Sequence, residues 1–221
     1  MSPVEATWRQ TAKAHRRERY LAAAARLFAA RGFDRVSIDD LGAEVGVSGP
    51  ALYRHFSGKD AILVALLEEA SERLLEGARS VVADPAPPQE VLAALVAFHA
   101  DFAVAERDVI RVQDRELGRL PPADNRRIRS LQRRYVELWG QRLRLLLPGA
   151  SDAEVEVRLH GVFGLLNSTP HHPLAEQVPG VRDLLTATAS AALTAVRPAV
   201  GRPAGRRPAA ATTAADRDGR G

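Results

Sequence analysis

Residues 45–60 read VGVSGPALYRHFSGKD, and they place the strongest constraint on how the chain folds. Gly46, Gly49, Pro50 and Gly58 punctuate a stretch that also carries Leu52, Tyr53 and Phe56. Glycine ends helices and proline is tolerated at their first turn, so the pieces between them must be short. Elsewhere the apolar residues recur at helical spacing. No alternating β-branched run bounded by turns interrupts them, so the expected fold class is all-α.

A first helix is expected from about Trp8 to Arg31, with Gly32 as its stop. A second starts after Val36, with Ser37 as N-cap and Asp39 and Asp40 in its first turn, and ends at Gly46. Ser48 is read as the cap of a third helix running to about Phe56, and a long helix then continues to about Val82. DPAPP, at 84–88, is a break. Further helices are expected at about 88–105, 106–118, 122–147, 152–168 and 180–196. The domains expected are 8–60, 61–197 and a disordered basic tail at 198–221, where Pro, Gly, Ala and Arg leave nothing to build a core.

On a helical wheel Leu52 and Phe56 fall together and define a buried side. Pro50, Ala51, Tyr53 and Arg54 then turn outward. Gly49 and Ala51 are small enough to let the backbone approach another surface. Arg54 can bond a guanine edge with two N–H groups, and Pro50 or Ala51 can touch a thymine methyl. Tyr53 and His55 suit phosphate oxygens. Leu41, Val45 and Val47 are spaced to pack on Leu52, Gly42 leaves room for a close crossing, and Gly46 supplies the turn: a helix-turn-helix. Lys59 and Ser37, each at a helix start, can clamp phosphates on either side. Taken singly, Tyr, Arg and His on a short helix are ordinary rim residues; the joint pattern points to DNA.

Residues about 17–66, in particular AARLFAARGFDRVSIDDLGAEVGVSGPALYRHFSGKDAIL, resemble the N-terminal domain of the TetR/AcrR family of bacterial regulators. The resemblance implies reading positions at Ser48, Gly49, Pro50, Ala51, Tyr53, Arg54 and His55, and phosphate clamps at Ser37, Tyr53 and Lys59. It also implies a homodimer on a palindromic double-stranded operator, released when a small effector, apolar or acyl-CoA-like, binds the C-terminal domain.

The C-terminal half is less specific. Leu159, Val162, Phe163 and Leu166 at 152–168, and Val181, Leu184, Leu185, Ala189, Ala192 and Leu193 at 180–196, form apolar faces. They suit a four-helix dimer contact, or simply this domain's own core. Polar and aromatic residues on apolar helices mark an effector site: His99, Phe102, Gln113, Trp139, His160, Phe163 and Asn167. Arg111, Arg115 and Arg119 form a row that suits the phosphates of an acyl-CoA or, the preferred reading, a solvated face paired with Asp114 and Glu116. The adjacent His171 and His172 lack a third ligand nearby, so no metal and no cofactor are expected.

Composition narrows the alternatives. Cysteine is absent, which excludes disulfides, zinc fingers and thiol catalysis. No GxSxG, P-loop or dinucleotide fingerprint occurs, so an enzyme is not expected. The apolar runs are too short to span a bilayer and the start lacks an apolar signal core, so a cytoplasmic protein without membrane contact is expected. The remaining alternative is a helical scaffold that binds only protein.

Overall fold

The computed structural model describes residues 3–172 and 177–195, with side chains from Lys13 onward; the tail at 198–221 lies outside the described residues. It is all-α, and no strand occurs among the described residues. The helices are α1 (Pro3–Arg31), α2 (Ile38–Val45), α3 (Gly49–Leu52), α4 (Lys59–Ala83) and α5 (Pro88–Ala105). Then come α6 (Arg107–Glu116), α7 (Pro122–Leu146), α8 (Asp152–Leu166) and α9 (Val181–Thr194). Short 3-10 turns follow α6 at Leu117–Arg119 and α8 at Thr169–His171.

Two apolar cores share α4. The front core joins Tyr20, Leu27, Phe28, Leu41, Leu52 and Phe56 to the first turns of α4, and takes Val109 and Val112 from α6, Leu117 from the turn after it and Ile128 from α7. The rear core runs from Leu75 through Leu95, Trp139 and Leu159 to Leu193. Because α4 crosses from one core into the other, a tilt of this helix moves both.

The turn between α2 and α3 is built as the glycines require. Gly46 adopts φ +72°, which only glycine enters without cost. The Gly46 N–H donates to Ala43 and the Val47 N–H to Gly42, closing a Schellman motif. Gly42 then lies under the returning chain. A Cβ there would sit 2.7 Å from the Val47 carbonyl oxygen and 3.1 Å from the Gly49 nitrogen. Both are backbone atoms, so Gly42→Ala must push the segment carrying α3 away. The expected cost is about 1–3 kcal/mol, measured as a lower urea midpoint; an unchanged midpoint would show that the crossing is looser than this.

The third helix is shorter than its apolar spacing suggests. It ends at Leu52, and 53–55 form a tight turn with His55 N–H on Leu52 O at 2.8 Å. Phe56 still returns to Leu52 O at 3.0 Å, which keeps both side chains on the buried side. Ser48 stands at the N-cap, but its side chain makes no capping hydrogen bond.

The arginine row on α6 and the turn after it ties elements together, while Arg115 and Arg119 remain exposed. Arg111 donates to Pro170 O, Arg115 to Ala29 O, and Arg119 to both Asp34 carboxylate oxygens at 2.7 and 3.1 Å. Only Arg119 meets Glu116; Asp114 pairs with His171. The expected pairing with Asp114 and Glu116 is therefore only partly formed, because neighbouring backbone carbonyls lie within reach.

Candidate functional site

The first candidate site is the surface around α3. Leu52 and Phe56 are buried, while Pro50, Tyr53 and Arg54 are exposed, Tyr53 by 58%. The buried and outward sides therefore fall where the wheel places them. Ala51 is half-buried and Gly49 is buried against the side chain of Asp39. Ser48 is exposed beside them.

His55 is half-buried, edge-on to the Tyr20 ring at 5.1 Å. Burial, then the positive charges of Arg16, Lys13, Arg17 and Arg54, hold its pKa below the usual histidine value. A neutral His55 still offers one N–H donor.

Two of the three clamp candidates, Ser37 and Lys59, are engaged inside the protein. Ser37 forms a capping box with Asp40: the Asp40 N–H donates to Ser37 Oγ at 3.0 Å, and the Ser37 N–H to Asp40 Oδ2 at 2.8 Å. The Ser37 hydroxyl also donates to Asp40 at 2.6 Å, so it must rotate to meet a phosphate. Lys59 donates to Phe33 O at 2.9 Å, with its ammonium 4.4 Å from the Phe33 ring centre. Arg119 lies against the same ring at 4.6 Å. Phe33 and Asp34 thus join the start of α4 to the end of α6.

The second candidate site is an aromatic cluster in the rear core. His99 lies 5.7 Å from Tyr135, 6.1 Å from Trp139, 5.2 Å from Phe163 and 6.0 Å from Phe102, centre to centre. Its ring nitrogens meet Asn167 Oδ1 at 3.1 Å and the Tyr135 hydroxyl at 2.9 Å. With Asn167 accepting, Nε2 carries the proton and Nδ1 accepts from Tyr135. Burial holds His99 neutral, its pKa lowered to about 4, only partly offset by the Asn167 bond. Burial also raises the Tyr135 pKa, and the nearby Trp139 indole partly opposes this. Even so, the fully buried Trp139 Nε1–H meets no acceptor at hydrogen-bond geometry.

Five of the seven effector candidates, His99, Phe102, Trp139, Phe163 and Asn167, come together here. Gln113 does not, since it is bonded to Gln132 between α6 and α7. His160 is exposed in a separate open groove of about 730 Å³ between α7 and α8. Tyr135 was missed. Its i, i+4 spacing to Trp139 in YVELW was the available signal.

The surfaces expected to pair two subunits also divide. Leu159, Val162, Leu166, Ala189 and Leu193 are buried in this chain's own core. Phe163 and Leu185 pack against that core. The outward face carries Val157, Gly161 and Gly164 on α8, and Leu184, Thr188 and Ala191 on α9. The apolar periodicity had pointed inward because the buried stripe is the stronger one.

A capped helix, a glycine turn, a short outward-facing element and a helical companion domain define the helix-turn-helix class. Residues 21–66 match the family described as bacterial regulatory proteins, tetR family, and residues 85–171 match a tetracyclin repressor-like C-terminal domain. The chain belongs to the TetR family.

Among its relatives, the HTH-type transcriptional activator FasR of Mycolicibacterium smegmatis is 33% identical over 87 residues, 39% of this chain and 40% of that protein. The HTH-type transcriptional regulator EthR of the same species is 36% identical over 73 residues, 33% of this chain and 34% of that protein. The matched region thus spans well under two thirds of either relative.

Two solved structures cover more. A TetR-family transcriptional regulator from Bordetella parapertussis superposes with a TM-score of 0.73 at 25% identity, over 80% of this chain and 94% of that one. The transcriptional regulator FadR from Bacillus subtilis, in complex with stearoyl-CoA, gives 0.64 at 17% identity, over 81% and 99%. At that identity the second likeness concerns the fold alone. Among the described residues no helix is long and apolar enough to cross a membrane.

Proposed function

We propose that this chain is a ligand-responsive, cytoplasmic transcriptional regulator, without enzymatic activity, that represses from a palindromic operator. Residues 8–60 bind DNA, and residues 61–197 bind an effector and a second subunit. One observation carries the reading: Tyr53 and Arg54 stand exposed on the far side of an element anchored by buried Leu52 and Phe56. Arg54 with Pro50 and Ala51 reads base edges. Ser48, Gly49, Tyr53 and His55 set depth and register, and Ser37 and Lys59 hold phosphates.

The aromatic cluster supports an effector with an apolar body and one hydrogen-bond acceptor. Its rings supply apolar contact, and the Trp139 N–H, which meets no acceptor at hydrogen-bond geometry among the described residues, supplies the donor. The FadR neighbour in complex with stearoyl-CoA shares the fold, which supports an acyl-chain class of effector. Dimerisation through the small, outward faces of α8 and α9 sets the spacing of the two reading elements. An effector releases DNA by binding better to a form in which α4 has tilted and that spacing no longer matches one helical turn, about 34–36 Å.

Selection of bound duplexes from a random-sequence pool at low salt tests the reading. The expected result is an enriched inverted repeat with half-sites about one turn apart. No enrichment, or binding indifferent to salt, would favour a helical scaffold that engages only protein.

A further inference from the structure

Beyond α3, one surface carries positive charge that is only partly balanced among the described residues. On α1, Lys13, Arg16, Arg17 and Tyr20 are spaced i, i+3, i+4 and i+7 and share one face. Two of the four fix that face against the reading element. The Tyr20 ring packs on His55, and the Arg17 guanidinium lies 4.7 Å from the Phe56 ring centre while bonding Glu69 at 2.6 Å. The next turns outward carry Arg16 and Lys13, both exposed.

Several surface arginines meet carboxylates: Arg26 with Glu44, Arg73 with Glu106, Arg127 with Glu68. Lys13, Arg16 and Arg54 meet none among the described residues. The one acidic neighbour on this part of α1, Glu18, pairs with His15. The fields of Arg16, Lys13, Arg17 and Arg54 all reach His55, so these cations gather around one point. Like charges held together repel unless a polyanion joins them.

We infer that the N-terminal turns of α1 are a second DNA-contacting element, in which Lys13 and Arg16 bind backbone phosphates flanking the bases read by Arg54. This rests on the DNA-binding reading above and extends it to a helix outside the helix-turn-helix itself. The contact is to phosphate, so it adds affinity and salt dependence but no sequence preference.

The test uses the full chain, a duplex selected by the parent from a random pool, and an unrelated duplex of equal length. The double variant Lys13→Gln, Arg16→Gln should keep the parent's thermal midpoint, since both side chains are exposed and unpaired. Its slope of log affinity against log salt should be shallower by roughly 1.8 per subunit, about 0.9 for each lost phosphate contact. Between 50 and 200 mM salt the parent should therefore lose about tenfold more affinity per subunit than the variant. The variant's ranking of operator sequences should be unchanged, and Lys13→Glu, Arg16→Glu should weaken both duplexes further. An unchanged slope in a folded variant overturns the inference and leaves the DNA-binding reading standing. A parent that selects no duplex removes that reading, and the inference with it.

Discussion

Leu52→Ala is expected to cost about 2–5 kcal/mol of stability and to abolish operator selection in the same variant. Leu52 is 1% exposed and packs in the front core with Leu41, Phe56 and the first turns of α4. It is the only large side chain by which the four-residue α3 holds to that core. Deleting it removes buried methyl groups and leaves a cavity where a short element cannot collapse without moving Tyr53 and Arg54. Helix this short has no stability of its own. Urea unfolding followed by circular dichroism gives the first quantity, and duplex binding below the transition gives the second. A variant that loses less than about 1 kcal/mol would show that α3 is held by something other than Leu52.

The second large effect is acid sensitivity from His99. In the unfolded chain the imidazole takes a proton near pH 6.5, whereas in the folded protein burial holds its pKa at about 4. Between those values the unfolded state binds the extra proton. Stability is therefore fully present above about pH 6.5 and falls as the pH drops toward 4. The loss at pH 4 is on the order of 3 kcal/mol. His99→Gln removes the titration while keeping a side chain able to bond Tyr135 and Asn167. Its stability should fall less than the parent's over this window, by about that amount. Parallel curves for the two proteins would mean that His99 is already open to solvent or already charged.

The cores and the turn between α2 and α3 were legible in the sequence because local rules determine them. Ser37 followed by Asp40, Gly46 after Val45, and Leu52 with Phe56 each carry a signal within a few residues. The length of α3 was not legible. A helix and a tight turn place Leu52 and Phe56 on the same side, so apolar spacing cannot separate them. The engagement of Lys59 with the Phe33 carbonyl was equally hidden, since it joins residues 26 positions apart. The tertiary ties of the arginine row were hidden because Arg111 and Arg115 donate to backbone carbonyls, which every sequence has and none advertises, and Arg119 to Asp34, 85 positions away. In the rear core, five of the seven effector candidates meet around His99. Gln113 and His160 lie elsewhere, since helical spacing does not say which neighbour a face will meet. The same ambiguity left Leu159 and Leu193 between a subunit interface and this chain's own interior, which they fill.

In the proposed mode of binding, Arg54 reads a base edge while Leu52 and Phe56 hold it in place. The most direct test compares the parent with Arg54→Ala on every single-base variant of the selected operator. The account predicts a loss of about 1–3 kcal/mol on the parent operator, flattened discrimination at one base pair of each half-site, and unchanged discrimination elsewhere. Identical rankings of all variants by the two proteins would contradict it.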